Sequence, residues 1–210
     1  MTNNTSNNQE YDAIIVGAGF AGLYQLICLR DQLGLNCLII ETGGDVGGTW
    51  YWNRYPGARC DTESHAYSYY FSDELLKEWT WSERYPGHTE IRKYINFVAN
   101  KFNLKKDILF NEKVINAEFN ENSNNWSLAT NTGKQFQAKF VIAAVGCLSN
   151  TNIPNITGLD SFEGKYYNTG NWPKTGVSCV NKKVGQIGTG STGRQAVHGS
   201  AAEAKHFTVL

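Results

Sequence analysis

The sequence DAIIVGAGFAGLYQLICLRDQLGLNCLIIE, from Asp12 to Glu41, decides the fold of this chain. It consists of a short apolar run, a cluster of glycines, a helical stretch and a second apolar run. The helical stretch carries an apolar stripe that comprises Leu23, Leu26, Ile27, Leu29 and Leu33. This order predicts two parallel strands joined by a helix, because parallel strands need a crossover connection. We therefore predict an α/β fold with a Rossmann-like parallel sheet.

Three glycines between the first strand and the helix, Gly17, Gly19 and Gly22, have the G-x-G-x-x-G spacing of a dinucleotide-binding turn. The first permits a tight bend, the second lets a pyrophosphate approach the backbone, and the third lets helix and strand pack closely. Glu41 ends the second apolar run nineteen residues after Gly22, close to the spacing at which a carboxylate binds an adenosine ribose. The pattern predicts a dinucleotide site; a purely structural glycine turn is the alternative.

A second turn of the same kind lies in VGQIGTGSTG, from Val184 to Gly193. The strand before it is short, and Arg194, His198 and Gly199 interrupt the apolar stripe of the helix after it. The apolar segment HFTVL then predicts a further strand, after which the residue that distinguishes NAD from NADP is expected. We predict a second dinucleotide site whose candidate contacts are Gly188, Thr189, Gly190, Ser191, Thr192 and Gly193.

The region between the two turns predicts loops, one long helix and an antiparallel meander. Residues 42–88 are rich in Gly and aromatic residues and predict long ordered loops with a short helix from Asp73 to Glu78. Thr89 is expected to cap a helix through EIRKYINFVANKF, whose apolar stripe comprises Ile91, Tyr94, Ile95, Val98 and Phe102. The segments EKVINAEF, NWSLAT and KQFQA predict the strands of the meander. The apolar run FVIAAVG, from Phe140 to Gly146, predicts a fully buried parallel strand.

The composition is that of a soluble globular protein. Nineteen basic residues balance nineteen acidic ones, so no overall field favours nucleic acid or an anionic membrane. The chain has neither a signal peptide nor a run of eighteen apolar residues, and we expect a cytoplasmic location without a membrane partner. The five cysteines form no C-x-x-C pair and predict reduced packing residues, with no metal site. The Asn-rich residues 1–10 predict a disordered tail.

Five segments of the chain occur together in a known family. These segments are, in order, GAGFAG, ETGGDVGGTWYWNRYPGARCDTES, FVIAAVG, FEGKYYNTGNWP and GTGSTG. Together they closely resemble the N-terminal part of the Baeyer–Villiger monooxygenases of the cyclohexanone and phenylacetone type, in the flavin-containing monooxygenase superfamily. The resemblance covers about residues 11–210. It implies that the first glycine turn binds FAD and the second NADPH. The reduced flavin would capture O2 as a C4a-peroxide, which attacks a ketone and gives an ester or lactone.

The resemblance also implies roles for individual residues. Asp61 would be the catalytic residue that tunes charge beside the reacting centre, and Arg59, Cys60 and Asp61 would border the nicotinamide. From the residues alone, the favoured interpretation of Trp50 and Trp52 is that they are core aromatics, and NRYPGARCD could be a solvated turn. The positions implied to contact FAD are Gly17, Gly19, Ala21, Gly22, Glu41, Thr49, Trp50, Trp52, Asp61, Tyr67, Val114 and Gly146.

The expected domains follow from the same resemblance. They are a FAD-binding domain at 11–160, a linker with the family fingerprint at 161–182, and the start of an NADP-binding domain at 183–210. Family members are longer, so we expect the chain to be a catalytically incomplete N-terminal portion. The strands of a truncated second domain would be exposed, which predicts self-association.

One residue departs from the family fingerprint F-x-G-x-x-x-H-x-x-x-W-P. Asn168 replaces its histidine, between Phe162, Gly164 and the pair Trp172 and Pro173. An amide can keep a hydrogen-bonded tether, but it cannot titrate near neutral pH. Two alternative functions stay open: a flavin monooxygenase that oxygenates amine nitrogen or sulfide sulfur, and a non-catalytic FAD-binding remnant.

Overall fold

The computed structural model describes residues 9–210, which form two compact units. One unit comprises residues 9–48 and 95–146, and the other comprises residues 49–94 and 147–210. Most of the predicted tail lies outside the described residues, whereas Gln9 and Glu10 already belong to the first strand. The predicted domain boundaries at 160 and 182 differ from this division and stay a prediction about the cofactor-binding domains.

Strands and helices alternate at the two ends of the described chain, and three helices followed by four strands lie between them. The strands are β1 Gln9–Val16, β2 Cys37–Ile40, β3 Ile108–Leu109, β4 Val114–Asn120, β5 Asn125–Thr130, β6 Gln135–Ala143, β7 Lys183–Gln186 and β8 His206–Val209. The helices are α1 Phe20–Leu26, continued by a π-helical turn Ile27–Gln32, then α2 Thr49–Trp52, α3 Asp73–Glu78, α4 His88–Lys101 and α5 Ser191–Ala201. Short 3-10 turns cover Lys105–Asp107, Leu159–Ser161 and Thr169–Asn171.

The first unit is built on a six-stranded sheet in the order β3-β2-β1-β6-β5-β4. β1 pairs in parallel with β2 and with β6, and β2 pairs in parallel with β3. β4 and β5 add an antiparallel hairpin to the edge of the sheet. The crossover from β1 to β2 runs through α1, so the predicted strand, helix and strand are confirmed. This arrangement places the β1–α1 turn and Glu41 at the same edge of the sheet, because the carboxyl ends of parallel strands meet there.

Strand β6 joins the parallel part of this sheet to its antiparallel part. It pairs with β1, with Val141 opposite Ile14, and with β5, with Phe136 opposite Leu128. The segments KQFQA and FVIAAVG therefore form one strand, where the sequence predicted two. The prediction of a fully buried strand was wrong, because Phe140 is 61% exposed. Successive side chains of a strand point to opposite faces, and Val141 packs against the core while its neighbour faces away.

The two long helices bury most of their predicted stripes. Leu23 and Leu26 of α1 are fully buried, whereas Leu33 is exposed because it lies beyond the end of the π-helical turn at Gln32. In α4 the buried positions are Ile91, Tyr94, Ile95, Val98 and Ala99, and the predicted Phe102 lies beyond the end of the helix at Lys101. The predicted cap at Thr89 was wrong: α4 begins one residue earlier, and the Ile91 N–H donates to the Gly87 carbonyl.

The second unit combines long loops with a small parallel pair of strands. Helix α3 has the predicted bounds, and the Ser72 hydroxyl caps it by accepting from the Leu75 N–H at 3.2 Å. Four aromatic side chains pack together beside it: Tyr69, Trp79, Trp81 and Tyr94. β7 and β8 pair in parallel, and α5 connects them, as the second glycine turn predicted. Among residues 9–210, no helix has the length and apolar character that crossing a membrane requires.

Candidate cofactor sites

The first glycine turn has the close packing that its spacing predicts. Gly17 has a φ of +107°, a conformation that residues with a side chain rarely adopt. A Cβ atom at Gly17 would lie 2.6 Å from the Ala144 carbonyl oxygen, and one at Gly22 would overlap the Gly17 carbonyl oxygen. Gly19 precedes α1, and no side chain caps this helix start or adds an acidic group to its first turn. Its N–H groups and positive end therefore remain available to a phosphate.

Glu41 ties this turn to the loop after β2. Its carboxylate is buried, with 4% of the residue exposed. One oxygen accepts the Ala18 N–H at 2.6 Å, and the other accepts the Gly43 N–H at 2.6 Å. A carboxylate has about four acceptor positions, so about two remain beyond these two hydrogen bonds. The pair of hydrogen bonds fixes the carboxylate next to the glycine turn.

The second glycine turn repeats the geometry of the first. Gly188 has a φ of +106°, and a Cβ at Gly193 would overlap the Gly188 carbonyl oxygen. Gly190 precedes α5, whose first turn also lacks an acidic residue and a capping side chain. A Cβ at Gly190 would meet no atom within 4 Å, so the space in front of this backbone is open. Thr189 lies in the turn, and Ser191 and Thr192 begin α5.

The loop NRYPGARCD packs on helix α5 within the second unit. A Cβ at Gly199 of α5 would overlap Pro56, so the glycine that weakens the apolar stripe permits a close approach of loop and helix. Asp61 lies at the start of α5, where its carboxylate accepts hydrogen bonds from the Ser191 hydroxyl and, at 2.8 Å, from the Gln195 amide. Arg59 is exposed and Cys60 is buried. NRYPGARCD is therefore held on the helix that follows the second glycine turn.

Trp50 and Tyr67 form a hydrogen-bonded pair in the same unit. The Trp50 indole N–H donates to the Tyr67 hydroxyl at 3.0 Å, and the rings meet edge to face with centroids 5.8 Å apart. Burial raises the pKa of Tyr67, although the Trp50 N–H opposes this by favouring the phenolate. Thr49, Trp50 and Trp52 all belong to the short helix α2, in which Trp50 is buried and Trp52 half-buried.

Three further candidate residues lie in the first unit. Ala21 is exposed in the first turn of α1. Gly146 follows β6 with a φ of +73°, two residues after Ala144, which packs on Gly17. Val114 begins β4 and packs on the core cluster, two residues after Glu112, whose N–H donates to the Glu41 carbonyl. The structure brings the two glycine turns, Glu41 and Asp61 into well-defined local settings, and the cofactor contacts themselves stay predictions.

Asn168 uses both atoms of its amide. The side-chain oxygen accepts the Gly170 N–H at 2.9 Å, and the nitrogen donates to the Asn152 carbonyl at 2.9 Å. The fingerprint segment is thus tied to the preceding loop by a group that does not titrate. Trp172 packs on the buried cluster of Tyr55, Ala58 and Ala196. Phe162, expected to anchor the segment, is instead 59% exposed.

Two glutamines were missed by the sequence reasoning. Gln186 donates from its side-chain nitrogen to the carbonyls of Gly188 and Gly193, each at 3.0 Å, and so braces the second glycine turn. Gln195 contacts three residues of the NRYPGARCD loop. Neither glutamine belongs to a recognised spacing pattern. The partners of Gln195 also lie far away in sequence, whereas those of Gln186 are near.

The fold and the paired glycine turns define a class of protein that binds dinucleotides. The sequence profile of the pyridine nucleotide-disulphide oxidoreductase family matches residues 14–202, and the chain belongs to this family. All five cysteines are free thiols in the structure.

Individual proteins similar to the chain include Baeyer–Villiger monooxygenases and an N-monooxygenase. The chain is 46% identical to a Baeyer–Villiger monooxygenase of Pseudooceanicola batsensis, over 100% of this chain and 38% of that protein. It is 44% identical to a phenazine N-monooxygenase of Lysobacter antibioticus, over 98% of this chain and 38% of the relative. The predicted resemblance to the Baeyer–Villiger monooxygenases is confirmed, and the chain spans about 38% of the length of these relatives.

A solved structure matches the fold over nearly the whole chain. The complex of OTEMO with FAD and NADP superposes with a TM-score of 0.88 at 41% identity, and the match covers 95% of this chain and 38% of that one. The predicted α/β fold with a Rossmann-like, mostly parallel sheet is therefore confirmed.

Proposed function

We propose that this chain binds FAD and NADPH for a Baeyer–Villiger oxygenation, in which one oxygen atom of O2 is inserted into a ketone to give an ester or lactone. The observation that carries the proposal is the pair of glycine turns with the same packing, one of them next to a buried carboxylate. A relative named as a Baeyer–Villiger monooxygenase and a neighbour solved with FAD and NADP support the choice of reaction and cofactors.

FAD is assigned to the first turn. The first helix start lacks a capping side chain, which leaves N–H groups for the pyrophosphate, and Gly19 offers a backbone without a side chain. Glu41 has two acceptor positions left for the ribose hydroxyls. Ala21, Gly146 and Val114 are proposed as further contacts around the adenosine diphosphate.

NADPH is assigned to the second turn, from Gly188 to Gly193. The open space at Gly190 fits a pyrophosphate that approaches the backbone closely. The hydroxyls of Ser191 and Thr192 stand at the start of α5, where an anion is favoured by the helix end. Thr189 is proposed to contribute its backbone to the same turn.

The loop residues are proposed to line the reacting end of the cofactors. FAD, when bound, supplies the redox and oxygen chemistry, with NADPH as the hydride donor. Asp61 is the proposed catalytic residue, since its carboxylate is fixed at the start of α5 and places negative charge there. Arg59 and Cys60 flank it. Thr49, Trp50, Trp52 and Tyr67 are proposed to lie along the flavin, where the hydrogen bond between Trp50 and Tyr67 holds two large rings in fixed orientation.

A second candidate function is oxygenation of a ring nitrogen. The relative named as a phenazine N-monooxygenase matches 98% of the chain at 44% identity, against 100% of the chain at 46% identity for the relative named as a Baeyer–Villiger monooxygenase. The sequence features that bind the two cofactors are therefore common to both reactions. The difference must lie in how the substrate is held.

Flavin binding tests both functions, and the oxygenated product distinguishes between them. The purified chain is mixed with FAD, and a shifted flavin absorbance is expected on binding; NADPH should then bleach that absorbance under anaerobic conditions. With 18O2 and a cyclic ketone, a lactone carrying one labelled oxygen would support the ketone reaction and would contradict the expectation that the chain is catalytically incomplete. Flavin binding and reduction without product from either substrate is the result which that expectation predicts. A labelled N-oxide formed from phenazine, without lactone, would favour the second function. An unshifted flavin spectrum would contradict both.

A further inference from the structure

Gln195 links helix α5 to the loop that carries Asp61. We propose that Gln195 is a positioning residue, which fixes the segment from Arg59 to Asp61 at the start of the helix after the second glycine turn. The tether is an inference from geometry alone. Its consequence for coenzyme binding rests on the proposed function, in which that turn binds NADPH.

The side-chain amide of Gln195 makes four hydrogen bonds to the loop. Its oxygen accepts the Tyr55 hydroxyl at 2.8 Å and the Arg59 N–H at 3.3 Å. Its nitrogen donates to the Arg59 carbonyl at 3.2 Å and to the Asp61 carboxylate at 2.8 Å. An amide offers two donors and two or more acceptor positions, so all of its donors are used. The amide therefore pairs with both polar backbone groups of Arg59 and with the side chains on either side of it.

The surrounding packing leaves the loop little freedom to move away from this amide. Gly57 lies so close to the Gln195 backbone carbonyl that a Cβ there would overlap it. Tyr55 and Ala58 are buried together with Ala196, the residue after Gln195. The amide thus acts at a point where loop and helix already touch. The four hydrogen bonds of the Gln195 amide fix the position of the loop along helix α5, which the apolar contact alone would leave less defined.

Asp61 is held from two sides as a result. Gln195 binds one of its carboxylate oxygens and the Ser191 hydroxyl binds the other. Ser191 is the first residue of α5 and a proposed coenzyme contact. If Gln195 is lost, Asp61 keeps a single tether and the Arg59 backbone keeps none from this helix. We therefore expect weaker NADP+ binding, while FAD binding at the first turn is unchanged.

Two substitutions test this inference in the 210-residue chain. Gln195→Leu removes all four hydrogen bonds at similar volume, and Gln195→Glu keeps the acceptor oxygen but replaces the donor by a negative charge next to Asp61. His198→Ala, at an exposed position of the same helix, is the control. Thermal melting establishes that each variant is folded. Amide exchange of Arg59 is measured by NMR, with the Ser64 N–H, which donates to the Arg84 carbonyl outside the proposed segment, as an internal reference.

The expected pattern is graded. In Gln195→Leu the Arg59 amide should exchange about tenfold faster, because the hydrogen bond that protects it is lost, and the Ser64 reference should change less. In Gln195→Glu the Arg59 amide stays more protected than in the Leu variant, yet affinity for NADP+ falls in both by about fivefold or more. FAD affinity stays unchanged in both, and His198→Ala resembles the wild type.

The outcomes separate this inference from the proposed function. Unchanged Arg59 exchange in Gln195→Leu would overturn the tether, since that measurement needs no ligand. Faster exchange with unchanged NADP+ affinity would overturn the positioning role. If the wild-type chain binds no NADP+, the proposed coenzyme site fails, and the exchange result alone decides whether Gln195 tethers the loop.

Discussion

Replacement of Glu41 by Gln should weaken both the fold and FAD binding. The carboxylate is buried and accepts two short backbone hydrogen bonds, from Ala18 and Gly43. In Glu41→Gln one oxygen can still accept, but the amide nitrogen faces an N–H that it cannot satisfy. Hydrogen bonds to charged groups contribute about 1.5–3 kcal/mol, so we expect a loss of about 2 kcal/mol without any ligand. For a chain of this length this corresponds to a fall in Tm of roughly 4–8 °C.

The effect on FAD affinity should come in addition to the loss of stability. A carboxylate hydrogen-bonded to a ribose is exchanged for a neutral amide, and about tenfold weaker binding corresponds to about 1.4 kcal/mol. Glu112→Gln is the matched control, because Glu112 is also 4% exposed, lies in the same unit and binds Lys134 at 2.6 Å. Thermal melts without ligand and FAD titrations at a temperature where both variants are folded separate the two effects.

The comparison of the two variants decides the role of Glu41. Both should melt earlier than the wild type, but only Glu41→Gln should bind FAD more weakly. Equal FAD affinities for Glu41→Gln and the wild type would refute the assignment of Glu41 to the ribose. A wild-type Tm in Glu41→Gln would refute the structural part, since the buried hydrogen bond that the amide cannot replace would then contribute nothing to stability.

Three further predictions concern the glycine turns and one ion pair. Gly22→Ala should destabilise the chain by about 1–3 kcal/mol, because its Cβ overlaps the Gly17 carbonyl; a thermal melt within one degree or so of wild type would argue against this packing. Gly190→Ala should leave the free energy of unfolding within about 0.5 kcal/mol but weaken NADP+ binding about tenfold or more, as calorimetry can measure; equal affinity would exclude close approach of a pyrophosphate. The Lys134 ammonium and nearby hydroxyls lower the pKa of Glu112 in the folded state. The Glu112 carboxylate therefore stabilises the fold above its unfolded pKa of about 4.3, and this contribution is lost as the pH falls through the lower pKa of the folded state. Lys134→Met should therefore move acid unfolding, followed by circular dichroism, to higher pH, and an unmoved midpoint would contradict the pair.

The parts of the fold that could be predicted are those with a local signal. Fixed glycine spacing and flanking apolar runs mark both glycine turns, Gly17 to Gly22 and Gly188 to Gly193. In the structure, a strand precedes each turn and a helix follows it. The short helix from Asp73 to Glu78 is also present at its predicted bounds, because Ser72 and the acidic first turn are local features.

The misjudged features depend on distant neighbours. An apolar run alone does not tell whether one or both faces of a strand are covered, which is why Phe140 was expected to be buried. The same distinction holds for the candidate site residues. Glu41 could be singled out by its spacing from Gly22 in the sequence, whereas Gln195 contacts residues more than a hundred positions away. Side chains that only brace a loop carry no pattern of their own.

The two glycine turns are proposed to form separate dinucleotide sites, the first for FAD and the second for NADP+. The most direct measurement is a calorimetric titration of FAD into the chain, first alone and then with NADP+ at saturation. We predict a single equivalent of FAD bound with the same affinity in both titrations. We also predict that Gly190→Ala weakens NADP+ binding while FAD binding stays unchanged. Displacement of FAD by NADP+ one for one, or no binding of FAD at all, would contradict this proposal.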